Sequence, residues 1–241
     1  MSRLFSKIAV LKGGPSAERE VSLCSGAAVA KALRSLDYEV TEVDVTGTTV
    51  DLPAGCEAVF IALHGTFGED GQLQALLEQR GVPFTGSGSA SSACAFDKVA
   101  SKRVFERQAI ATPRYEVLAP GQARTMPLPA VVKPPRQGSS IGISKVFEES
   151  EWEAALAAAL ALDSEALVEA YIEGAELTVG IVGEQVLPIV EIRAPDGYYD
   201  FRAKYTKGLT EYLVPAPLDE AATRACQDLA WRTFQALECR G

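Results

Sequence analysis

A short apolar run that stops at a pair of glycines constrains this chain most. Lys7-Ile8-Ala9-Val10-Leu11 leads into Gly13-Gly14, and Ala and Leu then recur at helical spacing from Val21 to Leu33. That order reads as strand, glycine turn, helix. Tyr38 to Val45 alternates as a second strand, and Ala58 to Leu63 is a third apolar run stopped by His64-Gly65. Gln72 to Gln79 reads as a helix closed by Gly81 and Pro83. Strands that alternate with helices build a small parallel sheet covered on both faces, which takes its ligand at the carboxyl ends of the strands. Here those ends carry Gly13-Gly14 and His64-Gly65.

Thr85 to Ala95 is rich in Gly, Ser and Ala, which predicts a connector and a domain boundary near residue 95. Residues 1–95 then form one α/β domain and residues 96–241 a second. In the second, Asp97 to Gln108 reads as a helix and Ala130-Val131-Val132 as a short strand. Lys133 to Gly142 is a polar Gly/Ser/Pro loop, and Ser144 to Phe147 resumes a strand. Ser150 and Glu153 have the spacing of a capping box opening an Ala/Leu-rich helix to about Leu162. Thr178 to Val182 and Val186 to Val190 flank Gly183-Glu184 as a hairpin. From Asp219 to Leu237 the residues Ala222, Cys226, Leu229, Ala230, Phe234 and Leu237 share one helical face, the pattern of a packing helix.

With 47% hydrophobic and 23% charged residues over 241, the chain can bury a sizeable core. A net charge of −9 repels polyanions, and no Lys/Arg cluster offsets it, so nucleic acid is not an expected partner. The five cysteines Cys24, Cys56, Cys94, Cys226 and Cys239 are scattered, without CxxC spacing, and read as reduced thiols rather than metal ligands. Met1 to Lys7 enters the first strand without the apolar stretch of a signal peptide, and no run is long enough for a membrane span. The expected compartment is the cytoplasm.

Neither a GxxxxGK[ST] loop nor a GxGxxG turn opening a helix is present. Lys133-Pro-Pro-Arg-Gln-Gly138-Ser139-Ser140-Ile141-Gly142 places a lysine at a strand end before a loop that can offer N–H groups and hydroxyls to an anion, though the same composition serves a surface turn. His64, the single histidine, sits where a strand ends in the Gly-rich run His64 to Gly71; its role is structural or catalytic. Glu18 follows the Gly13-Gly14 turn, where a carboxylate can hold an ammonium group or favour a helix start. Lys204 and Tyr205 lie in an aperiodic aromatic stretch from Tyr198 to Tyr212, a mobile lid or a surface loop.

Together these segments resemble the D-alanine–D-alanine ligase family of ATP-grasp enzymes across essentially the whole chain. The matching residues are Gly13-Gly14-Pro-Ser16-Ala-Glu18-Arg-Glu20-Val-Ser22, the HGTFGEDG run from His64, Asp97-Lys98, the Lys133 to Gly142 loop, Glu169 with Gly174-Ala-Glu176, and Tyr199-Asp-Phe-Arg-Ala-Lys204-Tyr205. The resemblance implies a carbon–nitrogen ligase that forms ADP. ATP phosphorylates the carboxylate of one D-alanine, and the amine of a second attacks the acyl phosphate. The product is the dipeptide used for peptidoglycan precursors in cell wall biogenesis. The implied fold is α/β and α+β, an N-terminal parallel α/β domain followed by an ATP-grasp domain with an α+β central subdomain to about residue 180 and a C-terminal subdomain from there.

By the same resemblance Lys98 and Lys133 contact the α- and β-phosphates, Lys204 reaches the γ-phosphate, Glu169 lies near the adenine and Glu176 takes the ribose hydroxyls. Glu18 binds the ammonium of the first D-alanine with His64 near its carboxylate. Glu18, Ser139 and Tyr205 form the catalytic hydrogen-bond network that closes the lid, and a tyrosine at the lid position goes with D-alanine rather than D-lactate as acceptor. ATP, D-alanine and a homodimer are the implied partners, with no nucleic acid and no membrane. Mg²⁺ is expected from the family, but past a Cys-Arg-Gly such as Cys239-Arg240-Gly241 the family supplies its metal ligands from two further strands. Within these 241 residues no metal ligand is assigned, the ATP-grasp domain is expected to be incomplete at its C-terminus, and ligase activity of the chain itself is expected to be low. The alternatives are a non-catalytic homologue that retains nucleotide or D-alanine binding, and an ATP-grasp carboxylate–amine ligase for another substrate.

Overall fold

The computed structural model describes residues 4–241 except 198, 200 and 207, and leaves the side chains of 196 and 201 undescribed. Met1, Tyr198 and Asp200, named in the sequence readings, therefore lie outside the described residues. The chain divides into two compact units, Met1–Ala95 with Cys239–Gly241, and Phe96–Glu238.

The first unit is built on β1 (Lys7–Gly13), α1 (Arg19–Ser35), β2 (Glu39–Val45), β3 (Ala58–Ile61), α2 (Gln72–Gln79) and α3 (Ser89–Phe96). The strands form a parallel sheet in the order β2-β1-β3, with Ile8 opposite both Val40 and Ala58. Alternation along β1 sends Ala9 and Leu11 to one face, against Leu73 and Leu77 of α2, and Val10 to the other, against Ala30 of α1. Leu73 and Leu77 are fully buried, and burial of each contributes about 1.5–3 kcal/mol. Helix α1 lies on the sheet through Ser22, Gly26 and Ala30, small residues four apart. A Cβ on Gly26 would meet the Lys12 Cβ at 2.5 Å, so a larger residue there would push α1 away from β1. The segment expected to be a connector instead forms α3. Its start is fixed by Glu78, which accepts from the Ser89 backbone N–H at 2.9 Å and from the Ser89 hydroxyl at 2.5 Å, a long-range anchor that local composition does not display.

The second unit holds α4 (Lys98–Arg107), β4 (Tyr115–Leu118), β5 (Ala130–Lys133), β6 (Ser144–Val146), α5 (Trp152–Leu160), β7 (Ala166–Ala170), β8 (Glu176–Val182), β9 (Gln185–Arg193), α6 (Phe201–Tyr205), β10 (Glu211–Leu213) and α7 (Glu220–Ala236). Two antiparallel sheets result, β4-β7-β5-β6 and β10-β9-β8. Ala130, Val132, Val146 and Val168 pack against Trp152, Ala155 and Ala159 of α5. The opposite parity, Val131, Lys133 and Glu169, faces away from that core.

One local expectation is corrected. The capping box ahead of α5 pairs Glu148 with Glu151, not Ser150 with Glu153, because Glu151 reaches back to the N–H groups of Phe147 at 2.8 Å and Glu148 at 3.0 Å. A short 3₁₀ turn over Glu149–Glu151 takes up the offset, and α5 ends at Leu160. Helix α7 packs against β8, β9 and α4 with its stripe half-buried rather than enclosed, and it is tied down by Gln227 donating to the Leu187 carbonyl at 3.2 Å and Arg232 donating to the Gln108 and Ala109 carbonyls at 3.1 and 3.0 Å. Among the described residues no helix is long and apolar enough to cross a membrane.

Candidate functional site

In the first unit the candidate side chains gather at the carboxyl ends of β1 and β3. The turn after β1 is held by Ser22, whose hydroxyl accepts from the Gly13 N–H at 2.8 Å and donates to the Ala62 carbonyl at 2.6 Å. Ser16 donates to the His64 carbonyl at 2.6 Å, drawing the two loops together. Gly65 adopts φ +68, and a Cβ there would come within 2.9 Å of Glu18 Oε2, so the contact of these loops needs glycine. Glu18 is 5% exposed.

Several residues of the His64 run have distinct tasks. Phe67 is buried in the core, and its N–H donates to Asp70 at 2.8 Å. Asp70 also accepts from the Gln72 N–H at 3.1 Å, opening α2. Glu69 accepts from the Gly65 N–H at 3.0 Å and lies 3.5 Å from His64 Nδ1, while His64 Nε2 is 3.3 Å from the Ser25 hydroxyl. Buried Gln74, which the sequence reading missed, donates to the Gly68 carbonyl at 2.8 Å. A loop pinned on both sides presents His64 near Glu18. A carboxylate there can take an ammonium group, and an imidazole can donate to a carboxylate.

The second unit brings together the lysines. Asp97 caps α4 by accepting from the Val99 and Ala100 N–H groups at 2.9 and 3.1 Å. Arg136, in the loop after β5, pairs with Asp97 and Asp163, which fixes that loop to the start of α4. Lys98 then donates to the Gln137 carbonyl at 2.6 Å and the Pro135 carbonyl at 3.2 Å. Burial, followed by repulsion from Lys133, lowers its pKa to about 8 against the pull of Glu169, Asp97 and Asp163. Lys133 ion-pairs with Glu169 Oε2, and Lys102 lies 2.5 Å from Glu169 Oε1. Burial raises the Glu169 pKa, but the two lysines outweigh it and hold the carboxylate below its ordinary value. Lys102 was missed in the sequence, although its i+4 spacing from Lys98 on a predicted helix places both on one face.

A cleft of about 300 Å³ opens beside these groups, lined by Lys133, Glu169, Tyr171, Glu176 and Tyr199 among others. Over it, Ser139 and Ser140 adopt left-handed backbone, φ +51 and +60. The Ser139 hydroxyl lies 3.1 Å from the Tyr205 hydroxyl and accepts from Lys204 at 3.3 Å, and Ser140 donates to the Tyr199 carbonyl at 2.9 Å. The segment around α6 is thus docked on the loop after β5. Ser139, Lys204 and Tyr205 stand together, as do Lys98, Lys133 and Glu169, while Glu176 shares the cleft. Fixed cations beside a cleft suit a polyanion such as a triphosphate.

A family model described as "D-ala D-ala ligase C-terminus" matches residues 98–241, and one described as "D-ala D-ala ligase N-terminus" matches residues 47–87. The chain is 48% identical over 232 residues to a D-alanine–D-alanine ligase of Methylacidiphilum infernorum, covering 96% of this chain and 77% of the relative. It is 50% identical over 240 residues to that of Syntrophotalea carbinolica, covering 98% and 79%. Among solved structures, the D-alanine–D-alanine ligase of Bacillus anthracis superposes with a TM-score of 0.84 at 30% identity, covering 98% of this chain and 80% of that one. The same enzyme complexed with ATP gives 0.84 at 28% identity, with 98% and 79% covered. The VanG D-Ala:D-Ser ligase of Enterococcus faecalis gives 0.84 at 28%, with 98% and 83% covered.

Proposed function

Because this chain belongs to the D-alanine–D-alanine ligase family, we propose that it joins two D-alanines to D-alanyl-D-alanine at the expense of ATP, for peptidoglycan precursor synthesis. The observation that carries the reading within the structure is the lysine-lined cleft, with Lys98 and Lys133 beside it and Lys204 docked over its loop. In this reading residues 1–95 are the amino acid domain and residues 96–241 the ATP-grasp domain. A cytoplasmic site of action and a homodimer complete the reading and rest on the family.

The γ-phosphate passes to a carboxylate oxygen of the first D-alanine, ADP leaves, and the amine of the second displaces phosphate from the acyl carbon. The transferring phosphoryl group spreads negative charge over its oxygens, and positioned cations stabilise it. Lys98 and Lys133 are assigned to the α- and β-phosphates and Lys204 to the γ-phosphate. Glu169 faces the base and Glu176 the ribose. Glu18 receives the ammonium of the first D-alanine, and His64 its carboxylate. Ser139 and Tyr205, 3.1 Å apart, close the second subsite. Among the described residues no group of three or more His, Cys, Asp or Glu is placed to hold a metal ion by itself.

The test combines calorimetry with an assay for phosphate and dipeptide. Phosphate release that requires D-alanine, with D-alanyl-D-alanine as product, is the expected result. Binding of both ligands without product would move the reading to a non-catalytic homologue, and binding of neither would overturn it.

A further inference from the structure

Lys102 is a buried cation for which the reaction has no direct use. An ammonium group has three hydrogens to donate, and Lys102 commits three contacts inside the protein. Its Nζ lies 2.5 Å from Glu169 Oε1, 2.7 Å from Thr112 Oγ1 and 3.0 Å from the Pro113 carbonyl. It also sits 4.7 Å from the centre of the Tyr115 ring, and the residue is 4% exposed. A lysine so enclosed acts on a ligand only through a neighbour, and that neighbour is Glu169.

Sheet register explains the cluster. Glu169 on β7 lies between Tyr115 of β4 and Val131 of β5, and Lys133 is the next residue of the same parity along β5. The two lysines on Glu169 are not equivalent. Lys133, with its side chain 19% exposed, lines the cleft together with Glu169 and holds Oε2; Lys102 holds Oε1 from within the protein. A triphosphate entering the cleft offers Lys133 a more highly charged partner and so releases Oε2. Had Glu169 then no other cation, its burial would favour the neutral acid.

We propose that Lys102 is the positioning residue for purine selection: it keeps Glu169 ionised and aimed into the cleft when Lys133 turns to the phosphates, so that the carboxylate accepts from the 6-amino group of adenine and repels a 6-oxopurine. The inference rests on the reading of this cleft as the ATP site. It turns on charge, because a neutral Glu169 could donate to a 6-oxo group and the preference would vanish.

Binding of ATP and of inosine 5′-triphosphate to the 241-residue chain tests it. The unaltered protein should prefer ATP by about tenfold or more, the effect of one hydrogen bond to a charged acceptor. Lys102→Met should bring the ratio close to one while leaving inosine triphosphate affinity largely unchanged. Lys102→Gln, which retains donors toward Glu169 and Thr112 but no charge, should do the same if Lys102→Met fails to fold. Added to Glu169→Gln, the Lys102→Met change should leave the ratio where Glu169→Gln alone puts it. A ratio preserved in the Lys102 variants, or an equal loss for both nucleotides, would overturn the inference and make Lys102 a structural cation. Equal binding of both nucleotides by the unaltered protein would also overturn it, with the ATP site intact. Binding of neither would instead be the failure of the ATP-site reading itself.

Discussion

The two regions that carry the candidate residues handle charge in opposite ways. At the edge of the parallel sheet, Glu69 stands beside the His64 imidazole and buried Glu18 lies against Gly65, and the loops are fixed by serine hydroxyls and backbone N–H groups. In the cleft of the second unit, Lys98, Lys102 and Lys133 converge on the single carboxylate of Glu169. The first arrangement suits an ammonium ligand and the second a polyanion. The two regions thus differ in which sign of charge is left in excess.

The largest expected effect attacks the basic side of this contrast. Lys133→Ala should weaken ATP binding by about 10²-fold, as truncation of a buried charged partner does, with D-alanine binding unchanged in calorimetry. A matching loss for both ligands would erase the division of labour. On the acidic side, Glu18→Gln should weaken D-alanine by about tenfold or more, one charged hydrogen bond, and leave ATP within error. Equal effects on the two ligands would break the assignment from the other direction.

A pH titration sharpens the comparison. Lys98 carries its proton below about 8, and only the protonated form attracts phosphate, so ATP affinity should fall as pH rises through that value. The loss between pH 7 and 9 should be about tenfold and should disappear in Lys98→Arg, whose charge does not titrate there. A flat profile for the unaltered protein would remove Lys98 from the phosphate site. The smallest effect concerns the docked segment: Tyr205→Phe removes one neutral hydrogen bond to Ser139 and should cost about 0.5–1.5 kcal/mol, read as a two- to tenfold rise in the constant for the second D-alanine. An unchanged constant would leave that hydroxyl pair with no part in the subsite.

The sequence shows local order well and long-range electrostatics poorly. Gln72–Gln79 is read to the residue because its breakers, Gly81 and Pro83, adjoin it. The α3 helix is not legible, because Ser and Ala carry little signal and its anchor, Glu78, lies eleven positions upstream. The capping box misleads for a related reason: Glu148, Glu151 and Glu153 compete for one helix start, and backbone geometry decides among them. Site residues on motifs, such as His64 and Lys133, can be found in the string. Gln74 and Lys102 cannot be found so directly, since their roles depend on which carbonyl or carboxylate the fold brings to them.

The adjacent left-handed serines at 139 and 140 set stability and precision at odds in this protein. Each non-glycine residue held at positive φ costs about 1–2 kcal/mol, which glycine at that position would relieve. A population selected for thermal survival alone would therefore drift toward glycine at both positions and gain melting temperature on the way. It would lose the hydroxyls that receive Tyr205 and reach the Tyr199 carbonyl. Serine at these two places thus holds the hydroxyl contacts to Tyr205 and Tyr199 at a cost in backbone strain.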